Sequence, residues 1–137
     1  ESKSFNKTAK LLCAHNGKEF DFPFIARRIL INGLQLPSFL NIGGKKSWET
    51  DHLLDTMELW KFGDFKNYTS LALMADIFGI STPKDEMDGS EVAGVYYHEK
   101  NMEKIKTYCQ KDVLAVAQVF LRLRGDLLIE NQNVTIV

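Results

Sequence analysis

Cysteine, long apolar runs and any excess of one charge are all missing or scarce in this chain of 137 residues, and each shortage excludes a class of protein. The only two cysteines, Cys13 and Cys109, stand far apart and form no C-x-x-C pair, which excludes a cysteine zinc site, a redox motif or a disulfide scaffold. Apolar neighbours around both read as a buried, reduced pair of thiols, as suits a cytoplasmic protein. No apolar stretch approaches the roughly 20 residues of a bilayer-spanning helix, and residues 1–10 are too polar for a signal peptide, so no membrane partner is expected. Three N-x-T sequons, at Asn6, Asn67 and Asn133, are therefore read as chance. Seventeen basic against eighteen acidic residues leave a formal charge of −1, unlike proteins that coat nucleic acid through their overall field. A polyanion would have to be held locally, by a bound metal or a small cationic patch.

What is present fits one soluble domain, 45% hydrophobic and 26% charged. Leu11-Leu12-Cys13-Ala14-His15 is a short continuous apolar run, the pattern of a strand buried on both faces. Asn16-Gly17-Lys18 breaks it as a loop. Asp21 can cap a helix that has Pro23 in its first turn and stops near Asn32-Gly33. This order places a polar loop at the carboxyl end of a strand, where open α/β sheets bind ligands. Residues 34–48 look irregular, and 53–60 read equally as strand or short helix. Helices are predicted over 69–78, closed by Gly79, and over 91–97, entered through a turn at 85–89. The strongest helix spans about 101–124, where Met102, Ile105, Cys109, Val113, Val116, Phe120 and Leu123 recur at three- and four-residue steps. Residues 127–137 read as a terminal strand or a tail.

One residue of that helix is out of place. Ile105, Cys109, Val116 and Leu123 mark the centre of the apolar stripe, and Asp112 falls among them. A carboxylate there is costly without a compensating cation or several donors. It is either a structural Asp satisfied by an Arg, a Tyr hydroxyl or backbone donors, or a ligand of a hard divalent cation. Tyr108, one turn earlier on the adjacent part of the same face, can reach the same cavity. Asp21, just past the first strand, is the obvious second carboxylate, and metal-assisted phosphodiester hydrolysis needs carboxylates from several elements.

At this point the residues resemble a known family. Asn16 with Phe20-Asp21 resembles the second exonuclease motif of the DnaQ-like superfamily, and Tyr108-Cys109-Gln110-Lys111-Asp112 resembles the third, Tyr-x-x-x-Asp. Phe22-Pro23-Phe24-Ile25-Ala26-Arg27-Arg28, Leu54-Asp55-Thr56-Met57-Glu58-Leu59-Trp60, Asp88-Gly89-Ser90-Glu91-Val92 and Leu121-Arg122-Leu123 look like one branch of it. That branch is the predicted 3′–5′ exonucleases related to the proofreading domain of family-B DNA polymerases. The resemblance covers roughly residues 11–124. The histidine type carries His five residues before the last Asp, where this chain has Thr107, so the resemblance is to the tyrosine type.

The resemblance implies an α/β, ribonuclease H-like fold, with residues 1–126 as the C-terminal part of the exonuclease domain. It also implies two divalent cations, Mg²⁺ or Mn²⁺, that clamp the scissile phosphate. Asp112 would bind the cation that activates water, Asp21 the second, and Tyr108 would orient the attacking water. Asn16 would fix the loop or contact the terminal nucleotide. Lys84 and the pair Arg27-Arg28 are candidate phosphate contacts, each with surface charge as its ordinary alternative. The implied substrate is a single-stranded 3′ end, DNA favoured over RNA, released as nucleoside 5′-monophosphates. Asp55 with Glu58 reads as a helix-capping pair, His15 as a structural hydrogen-bonding residue, and Trp48 and Trp60 as packing residues or base-stacking platforms. The family's first motif, Asp-x-Glu, has no counterpart here. The fold is therefore expected to be incomplete, lacking its N-terminal strands, and the chain alone inactive or nearly so. The alternative is a non-catalytic nucleic-acid-binding or protein-interaction module of the same fold.

Overall fold

A computed structural model describes residues 11–64, 66–80 and 89–135. It is a mixed α/β protein that divides into two compact units between Asn67 and Tyr68.

In the first unit, strand β1 (Leu12–Ala14) pairs in parallel with β2 (Leu53–Asp55), with Leu12 opposite Leu53 and Ala14 opposite Asp55. Among the described residues the sheet has only these two strands. The sequence pattern predicts a strand buried on both faces, but Cys13 is exposed, because a lone neighbour covers only part of β1. Helix α1 (Asp21–Ile31) follows. Asp21 is its first helical residue and Phe20 occupies the cap position, so the expected capping role of Asp21 is not the one the fold uses. Pro23 sits in the first turn, where its missing N–H costs nothing. The helix stops as expected: Asn32 is the C-cap, and Gly33 takes φ +68°, which L side chains rarely adopt. The ambiguous segment 53–60 proves to be both alternatives in succession, β2 and then helix α2 (Thr56–Lys61). Phe22, Leu40 and Leu53 form the core of the unit, with Leu12, Ile29 and Ile42 packed against them.

The second unit is helical. Ser70 caps α3 (Leu71–Ile77) by accepting the Leu73 N–H at 3.2 Å. A short helix α4 (Val92–Gly94) runs on into a π-helical turn, Val95–Glu99, which ends at Lys100 in the left-handed region. Asn101 then caps the long α5 (Met102–Arg124), accepting the Lys104 N–H at 3.0 Å, and Gly125 closes it. The long helix thus has the predicted ends, but a different buried face. Ala115, Gln118 and Val119 are its buried residues, while Cys109 is exposed and Val113 is 69% exposed. The cysteines are consequently not the buried pair that their neighbours imply.

Gln118 is buried because it ties the chain that follows α5 back onto the helix. Its Nε2 donates to the Ile129 carbonyl at 2.8 Å, and its Oε1 accepts the Ile129 N–H at 2.9 Å. The described part of the tail forms a 3₁₀ turn at Asn131–Asn133 rather than a strand. No helix among the described residues is long and apolar enough to cross a membrane. Replacing Gln118 by Ala leaves two backbone groups of Ile129 without their partners, and is expected to cost about 1–3 kcal/mol. Urea unfolding measures that loss, and faster amide exchange at Ile129 distinguishes it from a general loosening of α5.

Candidate active site

The loop between β1 and α1 is shaped by a buried carboxylate from β2. Asp55 is only 3% exposed. Its Oδ1 accepts the Asn16 N–H at 2.9 Å and the Met57 N–H at 3.0 Å, with Glu58 N–H more distant at 3.4 Å. Its Oδ2 accepts the Lys18 N–H at 3.0 Å. The capping reading of Asp55 is thus correct and incomplete, since the same side chain also holds the loop that carries the second motif. His15 shares a 2.9 Å hydrogen bond with Thr56 Oγ1, and that hydroxyl also donates to the Ala14 carbonyl at 3.4 Å. His15 therefore has the structural role expected of it.

Held in this way, the loop turns tightly into the helix. Asn16 adopts φ 57°, a left-handed conformation that Asn tolerates better than most residues. Gly17 is required by contact: a Cβ there would stand 2.4 Å from the Ala14 Cβ and 3.1 Å from the Phe22 ring. The Phe22 N–H donates to the Gly17 carbonyl at 2.9 Å, which sets Asp21 at the start of α1.

Asp21 is half-buried, and its carboxyl is raised above the ordinary 3.8. Burial is the main cause; its own backbone N–H opposes the shift, the Asp55 charge adds to it, and His15 offsets part. A cleft of about 390 Å³ opens beside the loop, lined by Asn16, Lys18, Asp55, Glu58 and Lys61 among others. Lys18 and Glu58 pair across it at 2.6 Å. The side-chain oxygen of Asn16 is buried with no hydrogen-bond partner.

These donors suit a hard divalent cation in type. A cation would relieve the unfavourable burial of the Asp21 charge, and the unpartnered Asn16 oxygen is a neutral donor of the same hardness. No group of three His, Cys, Asp or Glu side chains that could hold a metal ion gathers among the described residues.

In the second unit, Tyr108 and Asp112 lie one turn apart on α5, in line with the buried Ala115 and Val119, and both are half-buried. A Cβ added at Gly89 would stand 3.6 Å from Tyr108 Oη, an ordinary contact, so Gly89 neighbours the phenol. The structure thereby brings Gly89 near the Tyr-x-x-x-Asp motif, from which the sequence separates it, while Asp88 lies outside the described residues. Lys84 lies outside the described residues. Trp60 meets Phe62 edge to face at 6.5 Å, whereas Trp48 is 66% exposed and packs in no core.

A parallel strand pair with carboxylates and a polar loop at its carboxyl end is the build of an α/β protein that acts on a ligand there. The chain belongs to the family described as the predicted 3′–5′ exonucleases related to the exonuclease domain of PolB, whose model matches residues 3–131. At the coarse level this makes it a member of a nuclease family, hydrolases of phosphodiester bonds. No solved structure matches the chain.

Two outcomes test this site. Replacing Asp55 by Ala leaves the amides of Asn16 and Lys18 without an acceptor, and their hydrogen exchange is expected to accelerate at least about tenfold; unchanged protection would mean that the loop holds itself. The second concerns pH. The folded chain binds the Asp21 proton more tightly than the unfolded chain, so stability falls as pH rises from 3.8 through the higher folded value. Asp21→Asn is expected to be more stable than the parent at neutral pH without divalent cations, and to lose that advantage in acid. Urea titrations of both chains across this range measure the difference.

Proposed function

We propose that this chain carries the second and third motifs of a two-metal 3′–5′ exonuclease with a ribonuclease H-like fold. Its substrate is a single-stranded 3′ end, DNA in preference to RNA, and its product a nucleoside 5′-monophosphate. The observation that carries the reading is the half-buried Asp21, raised by burial and set at the helix entrance by a loop that Asp55 clamps. A carboxylate so placed contributes little to folding and suits a cation.

In this reading Mg²⁺ or Mn²⁺, when bound, lowers the pKa of a water and stabilises the charge of the leaving 3′ oxygen. Asp112 and Asp21 each supply a carboxylate ligand. Tyr108, with its phenol beside Gly89, would orient the attacking water from one turn before Asp112. Asn16, fixed through its backbone by Asp55, presents its unpartnered side-chain oxygen to the cation or to the terminal nucleotide. Lys84 is a proposed phosphate contact. The chain has no Asp-x-Glu, so the first motif's two carboxylates are assigned to a segment upstream of this sequence.

The test is Mg²⁺- or Mn²⁺-dependent release of mononucleotides from a labelled single strand. It compares this chain with a version extended upstream through that motif. The extended chain is expected to cut. Loss of a metal ligand in Asp112→Asn should lower the rate at least about a hundredfold, and Tyr108→Phe up to about a hundredfold by misplacing the water. If neither form cuts nor binds metal, the chemistry assigned to Asp21, Tyr108 and Asp112 is wrong, and a non-catalytic binding module of the same fold takes its place.

A further inference from the structure

Just before β2 the chain makes an excursion, Gly43-Gly44-Lys45-Lys46-Ser47-Trp48, with every residue of it exposed. An exposed tryptophan is unusual, because its indole loses most by facing water. Trp48 is 66% exposed, and the Lys46 ammonium stands 4.9 Å from its ring centroid, a cation–π arrangement. The segment is nevertheless anchored at both ends. Leu40 is buried and Ile42 packs on the same core, while His52 bonds the Phe39 carbonyl at 2.7 Å. Ser47–Glu49 forms a 3₁₀ turn whose Lys46 N–H donates to the Glu49 carboxylate at 2.9 Å, and Thr50 Oγ1 donates to the Ser47 carbonyl at 2.8 Å. Over Gly43 and Gly44 a Cβ would meet nothing within 4 Å, so the backbone beside the lysines lies open to an approaching chain.

A fixed, solvent-facing aromatic ring next to two lysines is the combination that binds single strands. A base stacks on the ring whatever its sequence, and the cations follow the phosphates. Charge supports the choice: Lys45 and Lys46 are the charged residues of the excursion, with Glu49 directly after it, against a whole chain of net charge −1. We infer that residues 43–48 are a contact for single-stranded nucleic acid, with Trp48 stacking on a base and Lys45 and Lys46 on the flanking phosphates. The inference rests on the nuclease reading for the class of ligand, but its residues are separate from Asp21, Tyr108 and Asp112. A sequence-tolerant grip of this kind suits an enzyme that must accept any terminal base.

The chain has two tryptophans, so Trp60→Phe leaves Trp48 as the only indole reporter. That variant is titrated with an unlabelled oligothymidylate while Trp48 emission is followed, and binding is measured independently by anisotropy of a labelled oligothymidylate. Quenching of Trp48 is expected. Trp48→Ala should weaken binding about tenfold, and Lys45→Gln with Lys46→Gln should reduce the slope of log affinity against log salt by about 1.4. Binding by anisotropy with silent Trp48 emission and unaffected variants overturns the contact and leaves the nuclease reading intact. Binding that depends on these residues, in an extended chain that cuts nothing, does the reverse. Absence of binding by either readout overturns the contact as well.

Discussion

The hydrogen bonds of one buried carboxylate organise the first unit. Asp55 is nearly inaccessible, and burying its charge would cost several kcal/mol if nothing answered it. Backbone amides from two places answer it: Asn16 and Lys18 from the loop after β1, Met57 and Glu58 from the first turn of α2. The strand pairing brings Asp55 opposite Ala14, which is what puts its oxygens within reach of the loop. The sheet register, the start of α2 and the shape of the loop are therefore one arrangement. The contact between Gly17 and Ala14 closes the same turn from the other side, because no side chain fits there.

Asp21 shows the opposite economy. It is partly buried without a counter-charge strong enough to hold it down, and the Asp55 charge pushes its proton affinity higher still. A fold selected for stability alone would place Asn or Ser at this position. An ionisable group in such surroundings is a functional-site candidate on physical grounds. On α5, Tyr108 is half-buried, with Gly89 beside its hydroxyl.

The ends of the elements were legible in the sequence because caps and stops are local chemistry. Asn32 and Gly33 end α1 and the long α5 runs from Asn101 to Arg124 as the sequence indicates, whereas the Ser70 cap of α3 and the Phe20 cap of α1 were not read from it. The family was legible too, from two motifs in order and their flanks. The buried face of α5 was not. Apolar residues cover so much of that helix that periodicity alone does not select a side, and the face actually covered is marked by Ala115 and Gln118. Gln118 reads as polar surface until the carbonyl and N–H of Ile129 are seen to need it. Segment 53–60 was ambiguous for a different reason. A strand of three residues that passes directly into a helix of six completes neither period. The double role of Asp55 was hidden because half its partners lie 37 and 39 residues away.

That separation governs the order in which the molecule can assemble. A bond between residues 39 apart cannot form until the intervening loop closes, and closing it is an entropic toll that local helices do not face. While the strands are apart, the Asn16 segment has no template for its left-handed turn, and Asp21 is an ordinary solvated acid. The corner that holds Asp21 is therefore complete only once β1 has met β2.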